Sequence, residues 1–462
     1  MIDEFLATRP PSQTLHLIIT TRDKKKSDTT LLQIRSHLQK TLTAVYGPDN
    51  AIRTAQRRRI QLSGEILELT SLVSVRRLSQ RLLERGEHID ALILNAGIGG
   101  WSGFNWPVAI WTVLTDVVQA TTYPTFKLGY RGRVTASQIV DNADKDANTR
   151  TNTSTASSAS SNGHPKSKAK NKNNPPPPQL GETFAANVFG HYMLSHYLMP
   201  LLKPKSSTPS LPGRIIWVSS IEAHARAFKL SDFQGLDSDI SYESSKRLTD
   251  LLVLTSRLAS TRRYVSSFLD CEASELVVGN GNGNALATAA KGQRDEDRET
   301  DTQPQMYLAH PGICGTSITG LPLIVHTFML GAFYIARLLG SPWHCVSPYL
   351  GAVASVWLTL ATPSTLDGLD GAEGKGKWGS SVDWIGGERI LRTETEGWGW
   401  SGIVGEESDG GMRLNKGRPR GMTALTQESR EEFEDVAIKA WREIEELRVE
   451  WEKRLDAVEG KM

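Results

Sequence analysis

The sequence predicts an α/β protein built on a doubly wound parallel sheet, and two observations carry that expectation. Short apolar, often β-branched runs recur along the chain: "LHLIIT" (15–20), "IDALIL" (89–94), "RIIWVS" (214–219) and "MYLAH" (306–310). Runs this short and uniformly apolar suit strands buried on both faces of a parallel sheet. Amphipathic segments of helical length lie between them, and that alternation marks a layered α/β domain. An antiparallel sheet with one wet face would instead alternate apolar and polar residues at period two.

Taken in order, "MIDEFLATRPPSQ" is acidic and proline-bearing, unlike a signal peptide. A further strand is expected near 65–69. "SLVSVRRLSQRLLERG" (71–86) places Leu72, Val75, Leu78 and Leu82 on one helical face and ends at Gly86, a C-cap residue. Residues 182–202 and 242–259 are longer helices of the same kind. After the last strand, 323–336 and 349–361 are apolar but too short to span a bilayer comfortably, which leaves interfacial or buried core helices. The region 366–425 reads as loop-rich. The stretch 426–455 is a charged helix whose Phe433, Val436, Ala440, Ile444 and Leu447 form one apolar face.

Residues 1–140, 181–278 and 305–365 thus belong to one α/β body, with a C-terminal helix reaching to about 458. Two segments stand outside it. Residues 141–180 are Ser-, Asn- and Lys-rich and contain four consecutive prolines; 279–304 is Gly-, Asn- and charge-rich. Neither can bury enough apolar surface to offset its ordering entropy, so both are expected to be disordered insertions. The "GNGNG" inside the second lacks the strand-to-helix frame of a phosphate loop.

A formal charge of +2 over 462 residues gives no reason to expect nucleic acid or an acidic partner. Cys271, Cys314 and Cys345 form neither a metal spacing nor a disulfide framework, which suits a reducing compartment.

The chemistry-bearing residues occur in a definite order. Asn95–Ala96–Gly97 closes a buried strand, where ligands of parallel sheets bind. Asn187 sits inside a helix, a poor place for Asn unless its amide has a specific partner. Ser219 and Ser220 end a strand. Tyr242 and Lys246 stand one helical turn apart on a shared face, and Pro311–Gly312 turn sharply after the last strand. Each has an ordinary structural reading; their joint order is far less common by chance.

In that order the chain resembles the short-chain dehydrogenase/reductase family. More narrowly, "LILNAGIGGW", "FGHYMLSHYLMPLL", "WVSSIEA", "SYESSKRLTDLL" and "HPGICGTSI" resemble the fungal 3-ketosteroid reductases of ergosterol biosynthesis. The resemblance implies a Rossmann-like fold, with Tyr242 as proton donor and Lys246 lowering its pKa while holding the nicotinamide ribose. It implies that Ser220, or Ser219 in its place, bonds the substrate carbonyl and that Asn187 holds a proton-relaying water. The magnitudes allow this. Bringing a phenol from about 10 to about 7 needs roughly 4 kcal/mol, and one ammonium about 4 Å away at an effective dielectric near 20 contributes about that much.

The resemblance further implies cofactor contacts from Thr21, Arg22, Glu68, Asn95, Ile313 and Thr316. Arg22 at a strand end, where an NAD enzyme carries an acid, favours NADPH through its 2′-phosphate. The family's first strand and glycine-rich turn are not found ahead of "LHLIIT". The chain is therefore expected to be a truncated form or a poor cofactor binder, and the strands flanking that place to have unpaired edges. A sterol substrate, other sterol C4-demethylation proteins and a membrane surface are the implied partners. The implied location is the cytosolic face of the endoplasmic reticulum or a lipid droplet. A reductase of another lipid carbonyl, resembling retinol dehydrogenases, and a catalytically impaired scaffold are the competing expectations.

Overall fold

The computed structural model describes residues 1–47, 50–136, 138, 179–204, 211–271, 303–316, 320–405 and 422–459. The expected insertions, over 141–178 and 279–302, lie outside the described residues.

Helix α1 (Ile2–Thr8) leads into β1 (Leu15–Thr21), followed by α2 (Lys24–Tyr46), α3 (Asn50–Arg58) and β2 (Ile60–Ile66). Strands β1 and β2 pair in parallel, from Leu15 opposite Ile60 to Thr21 opposite Ile66. The strand expected near 65–69 therefore lies earlier, and Glu68 falls in the turn after it. The Asp23 side chain starts α2 by accepting from the Lys26 amide at 2.7 Å, satisfying one orphan donor of the first turn. Helix α4 (Leu72–Arg85) is capped by Ser71 and ends at Gly86, whose φ of 65° is the left-handed conformation expected of a C-cap.

The main sheet has the order β3–β6–β7–β8–β9, with β3 (Ala91–Leu94), β6 (Arg214–Val218), β7 (Gln305–His310) and β8 (Lys377–Val382) parallel. Strand β9 (Glu388–Thr393) adds antiparallel at the far edge. The apolar runs of β6 and β7 behave as a sheet covered on both sides demands, whereas β1 and most of β3 are only half-buried. Along β6, Ile215 and Trp217 face one core and Ile216 the other, all nearly inaccessible. The first core holds α4, α7 (Gly190–Tyr197), α8 (Ser241–Leu254), α9 (Arg262–Leu269) and the C-terminal α13 (Gln427–Glu459). The second holds α11 (Val353–Leu360) and α12 (Pro363–Glu373), through Ala354, Leu358 and Leu366.

Two expectations change. The stretch 366–425, read as loop-rich, supplies β8 and β9. Strand β8 escapes a hydrophobicity reading because Gly379, Ser380 and Ser381 form its buried middle. Ser380 donates to the Gly351 carbonyl at 2.8 Å and accepts from the Ala354 amide at 2.9 Å, which satisfies a polar residue inside the sheet. The sheet is also split. No hydrogen bond joins β1 to β3 among the described residues, so β1–β2 form a separate two-stranded sheet.

Between β3 and the helix carrying Asn187 lies an unforeseen unit. Strands β4 (Trp101–Phe104) and β5 (Lys127–Gly129) form an antiparallel hairpin that carries α5 (Trp106–Thr115) and α6 (Val117–Thr122) at its tip. Helix α6 packs against α10 (Leu323–Leu338), the first apolar helix after the last strand.

Candidate active site

Helix 182–197 is not regular where Asn187 sits. Residues Ala185–Phe189 form a π-helical turn between α-helical stretches. Such a turn inserts one extra residue and commonly marks a functional position. It aims the Asn187 amide at the turn after β3: Nδ2 donates to the Ile98 carbonyl at 3.0 Å, and Oδ1 accepts from the Ile98 amide at 2.8 Å. Nδ2 also donates to Ser245 Oγ on α8 at 3.0 Å. One turn on, His191 Nε2 bonds the Ala96 carbonyl at 2.8 Å; burial pulls this imidazole down to about 4, so it stays neutral and donates. Gly97 is required here, because a Cβ would come within 2.7 Å of Asn187 Oδ1.

The end of β6 is held from beneath. The Ser219 hydroxyl donates to Asp250 Oδ1 at 2.5 Å. Lys377 on β8 bonds Asp250 Oδ2 and the Ser220 carbonyl, each at 2.6 Å. This buried ion pair fixes the turn and commits Ser219. The neighbouring Ser220 is the serine that acts on the Tyr242 phenol, pulling its pKa down, while its Oγ accepts from the Glu222 amide at 3.2 Å.

Tyr242 is partly exposed and Lys246 is buried on the same face of α8. The Lys246 ammonium donates to the Val218 carbonyl at 2.7 Å and lies 5.7 Å from the phenol ring centroid. The electrostatics differ from the sequence expectation. Burial first, and then the Glu222 carboxylate, push the Tyr242 phenol up to about 12, while Lys127 and the Ser220 side chain oppose them. Lys246 is pulled down to about 8, mainly by burial and against the pull of Asp250. The principal cation acting on the phenol is thus Lys127, which the sequence did not single out.

The expected cofactor residues lie at or just beyond carboxyl ends of strands. Thr21 ends β1, where its hydroxyl donates to the Asp23 carbonyl at 2.9 Å. Arg22 follows, exposed and with no hydrogen bond or ion pair among the described residues. The Glu68 carboxylate folds back to accept from the Thr70 amide and hydroxyl at 3.0 and 2.9 Å. Asn95 is exposed after β3. Ile313 is buried against Phe333, Trp343 and Val346, its amide donating to the Trp343 carbonyl at 2.7 Å. Thr316 is partly exposed. The structure gathers Asn187, Ser220, Tyr242 and Lys246 into one cluster, whereas Thr21, Arg22 and Glu68 belong to the separate β1–β2 unit.

Sequence reasoning missed His191, Lys127, Asp250 and Lys377. Glu222, an acid two residues beyond a buried strand end, offered a local signal; Lys127 offered none. A cavity of about 410 Å³ walled partly by Ile221, Ala223, His224 and Tyr123 adjoins this turn without containing the four clustered residues.

No family model matches the chain. The chain is 39% identical over 466 residues to "3-keto-steroid reductase erg27" of Aspergillus fumigatus, covering 100% of this chain and 92% of that one. It is 33% identical over 489 residues to "3-keto-steroid reductase ERG27" of Gibberella zeae, covering 98% and 91%. Among solved structures it is similar to NADPH-bound carbonyl reductase from chicken fatty liver, at 12% identity and a TM-score of 0.34 over 84% of this chain and 92% of that one, too distant to argue from. Identity at this level over nearly the whole of both relatives places the chain in the 3-keto-steroid reductase family.

Proposed function

We propose that the chain reduces the 3-keto group of a zymosterone-type sterol to the 3β-hydroxyl with NADPH, within C4 demethylation of ergosterol biosynthesis. The observation that carries this reading is the Tyr242 phenol with the buried Lys246 ammonium one helical turn away, 5.7 Å from its ring, beside the strand end that carries Ser220. A nicotinamide supplies hydride when bound. The cluster fits the nicotinamide end of such a group through Lys246, a buried ammonium beside the phenol, whereas Arg22, a strand-end guanidinium suited to a phosphate, stands on the separate β1–β2 sheet. Ser220 orients the ketone oxygen and Tyr242 gives it a proton, which prevents an alkoxide from accumulating. Asn187 and His191 fix the backbone after β3 that borders the site.

We further propose that the sterol arrives from a bilayer surface at the endoplasmic reticulum or a lipid droplet, where other C4-demethylation proteins would meet the chain. No helix among the described residues is long and apolar enough to cross a membrane. Support comes from α10, which exposes Leu323, Ile324 and Phe328 by 72–81% while its one charged residue, Arg337, is buried. Arg337 spends its guanidinium on the His344 and Cys345 carbonyls.

The test is turnover of a 3-keto-4-methyl sterol by the purified chain with NADPH or NADH. NADPH should be preferred, and Tyr242→Phe should lower kcat by about 10²–10⁴-fold, the ordinary contribution of a positioned acid. Equal rates for Tyr242→Phe and the parent chain, or turnover of retinal in place of the sterol, would overturn the reading.

A further inference from the structure

The hairpin β4–β5 brings a charged group to the phenol from outside the four-residue cluster. Lys127 on β5 forms ion pairs with Glu222, two residues past Ser220, and with Glu243, the neighbour of Tyr242 on α8, the latter at 2.8 Å. The three side chains are only 7, 14 and 8% exposed. The Lys127 ammonium lies 4.5 Å from the Trp101 ring centroid and 5.4 Å from that of Tyr242. The two rings meet edge to face at 5.3 Å. One cation between two buried carboxylates leaves an excess negative charge beside the phenol, and burial makes such an excess costly. A proton on one carboxylate removes it.

We propose that Lys127, Glu222 and Glu243 form a charge-setting triad for Tyr242, in which protonation of Glu222 takes the triad's net charge from −1 to zero and so sets the pH range in which Tyr242 donates efficiently. The inference deepens the reductase reading and rests on it. Glu222 is the member that titrates: burial raises it to about 7, Lys127 opposes this, and Glu243 adds to it. Burial also works to discharge Lys127, but the two carboxylates overcome it and hold the ammonium above its ordinary range.

The groups facing Glu222 are Lys127 from the hairpin and Glu243 and Tyr242 from α8, with Lys377 behind the Ser220 carbonyl. His224, on the same loop, is pulled down to about 4 by burial and by Arg226 and is neutral in this range. The sign follows. Ionised Glu222 raises the phenol, so rising pH makes Tyr242 a weaker acid before it begins to lose its own proton. Glu222 and Lys127 act through Tyr242 and are positioning residues.

Two measurements test the triad. In kcat–pH profiles, reduction should fall as pH rises through about 7. Glu222→Gln should abolish that fall, and Glu243→Gln, which removes the repelling carboxylate, should move it to lower pH. In ultraviolet titration, the signal of the unmodified chain minus that of Tyr242→Phe isolates one phenol. Glu222→Gln should shift its ionisation downward by about one pH unit, an ordinary effect of a neighbouring charge. This readout needs no substrate, so it survives failure of the sterol assay. A Glu222→Gln variant with an unmoved phenol and an unchanged fall near pH 7 would overturn the proposal.

Discussion

Ser219 and Ser220 are adjacent yet do different work, because the strand end they share is held by a buried ion pair. The hydroxyl of Ser219 is spent on Asp250, whose other oxygen pairs with Lys377, while Ser220 meets the phenol. Ser220→Ala is therefore expected to lower kcat by tenfold or more, with little change in the denaturation midpoint. Ser219→Ala should instead cost stability by about 1 kcal/mol, the value of a lost buried hydrogen bond, and leave most of kcat. Steady-state kinetics and urea titration of both variants check the pair, and the opposite assignment would appear as the reverse pattern. The Tyr–Lys spacing and the strand-end serines were legible because they are local to one helix or one turn. The charges that govern the phenol were not: Glu222 and Glu243 stand beside the serine and the tyrosine, but Lys127, the cation that pairs with both, comes from a strand about a hundred residues earlier. The expectation for Lys246 set one ammonium against neither burial nor carboxylates, and both of those push the phenol up.

The elements read best were those whose pattern follows from burial alone. Helix α4 has the expected face, cap and stop, and the doubly covered strands were apparent as continuous apolar runs. Strand β8 was missed because its buried middle, Gly379 to Ser381, is small and polar rather than β-branched. The π-helical turn was visible only as an asparagine out of place. Helix α13 shows an amphipathic pattern correctly read and more deeply docked than its charge suggests. Trp441 is fully buried, its indole N–H donating to Thr255 Oγ1 at 3.2 Å, and Trp451 and Leu455 extend the face. Between them Glu445 accepts from Ser267 at 2.7 Å and from Arg448 at 2.8 Å. Trp441→Ala should cost about 3–5 kcal/mol, the usual penalty for emptying a large aromatic site. Urea unfolding would show this as a lower midpoint; a loss under 1 kcal/mol would mean that α13 rides on the surface.

At the scale of the whole molecule, two greasy surfaces flank the hairpin that delivers Lys127. Helix α5 exposes Ile110, Trp111 and Leu114 by 59–79%, and α10 exposes Leu323, Ile324 and Phe328, with α6 packed between the two helices. Aromatic and aliphatic residues on an uncharged helix face are what an interfacial helix needs. Removing 321–345 outright would also take out the buried Phe333, Trp343 and Cys345. The sharper test is Ile324→Asp with Phe328→Asp, which alters exposed positions only. The double variant should lose most of its flotation with liposomes while keeping its melting temperature; undiminished flotation would rule out α10 as the contact. Sequence reading found α10 but missed α5, because a short apolar stretch there carries no strand or helix context of its own. One consequence concerns the order in which the protein is made. The tether on the Ser220 carbonyl is Lys377, 157 residues downstream. A nascent chain can complete the helix bearing Tyr242 and Lys246 long before it receives the strand that locks the serine opposite them. Competence for reduction is thereby deferred until the distal third of the polypeptide has left the ribosome and docked.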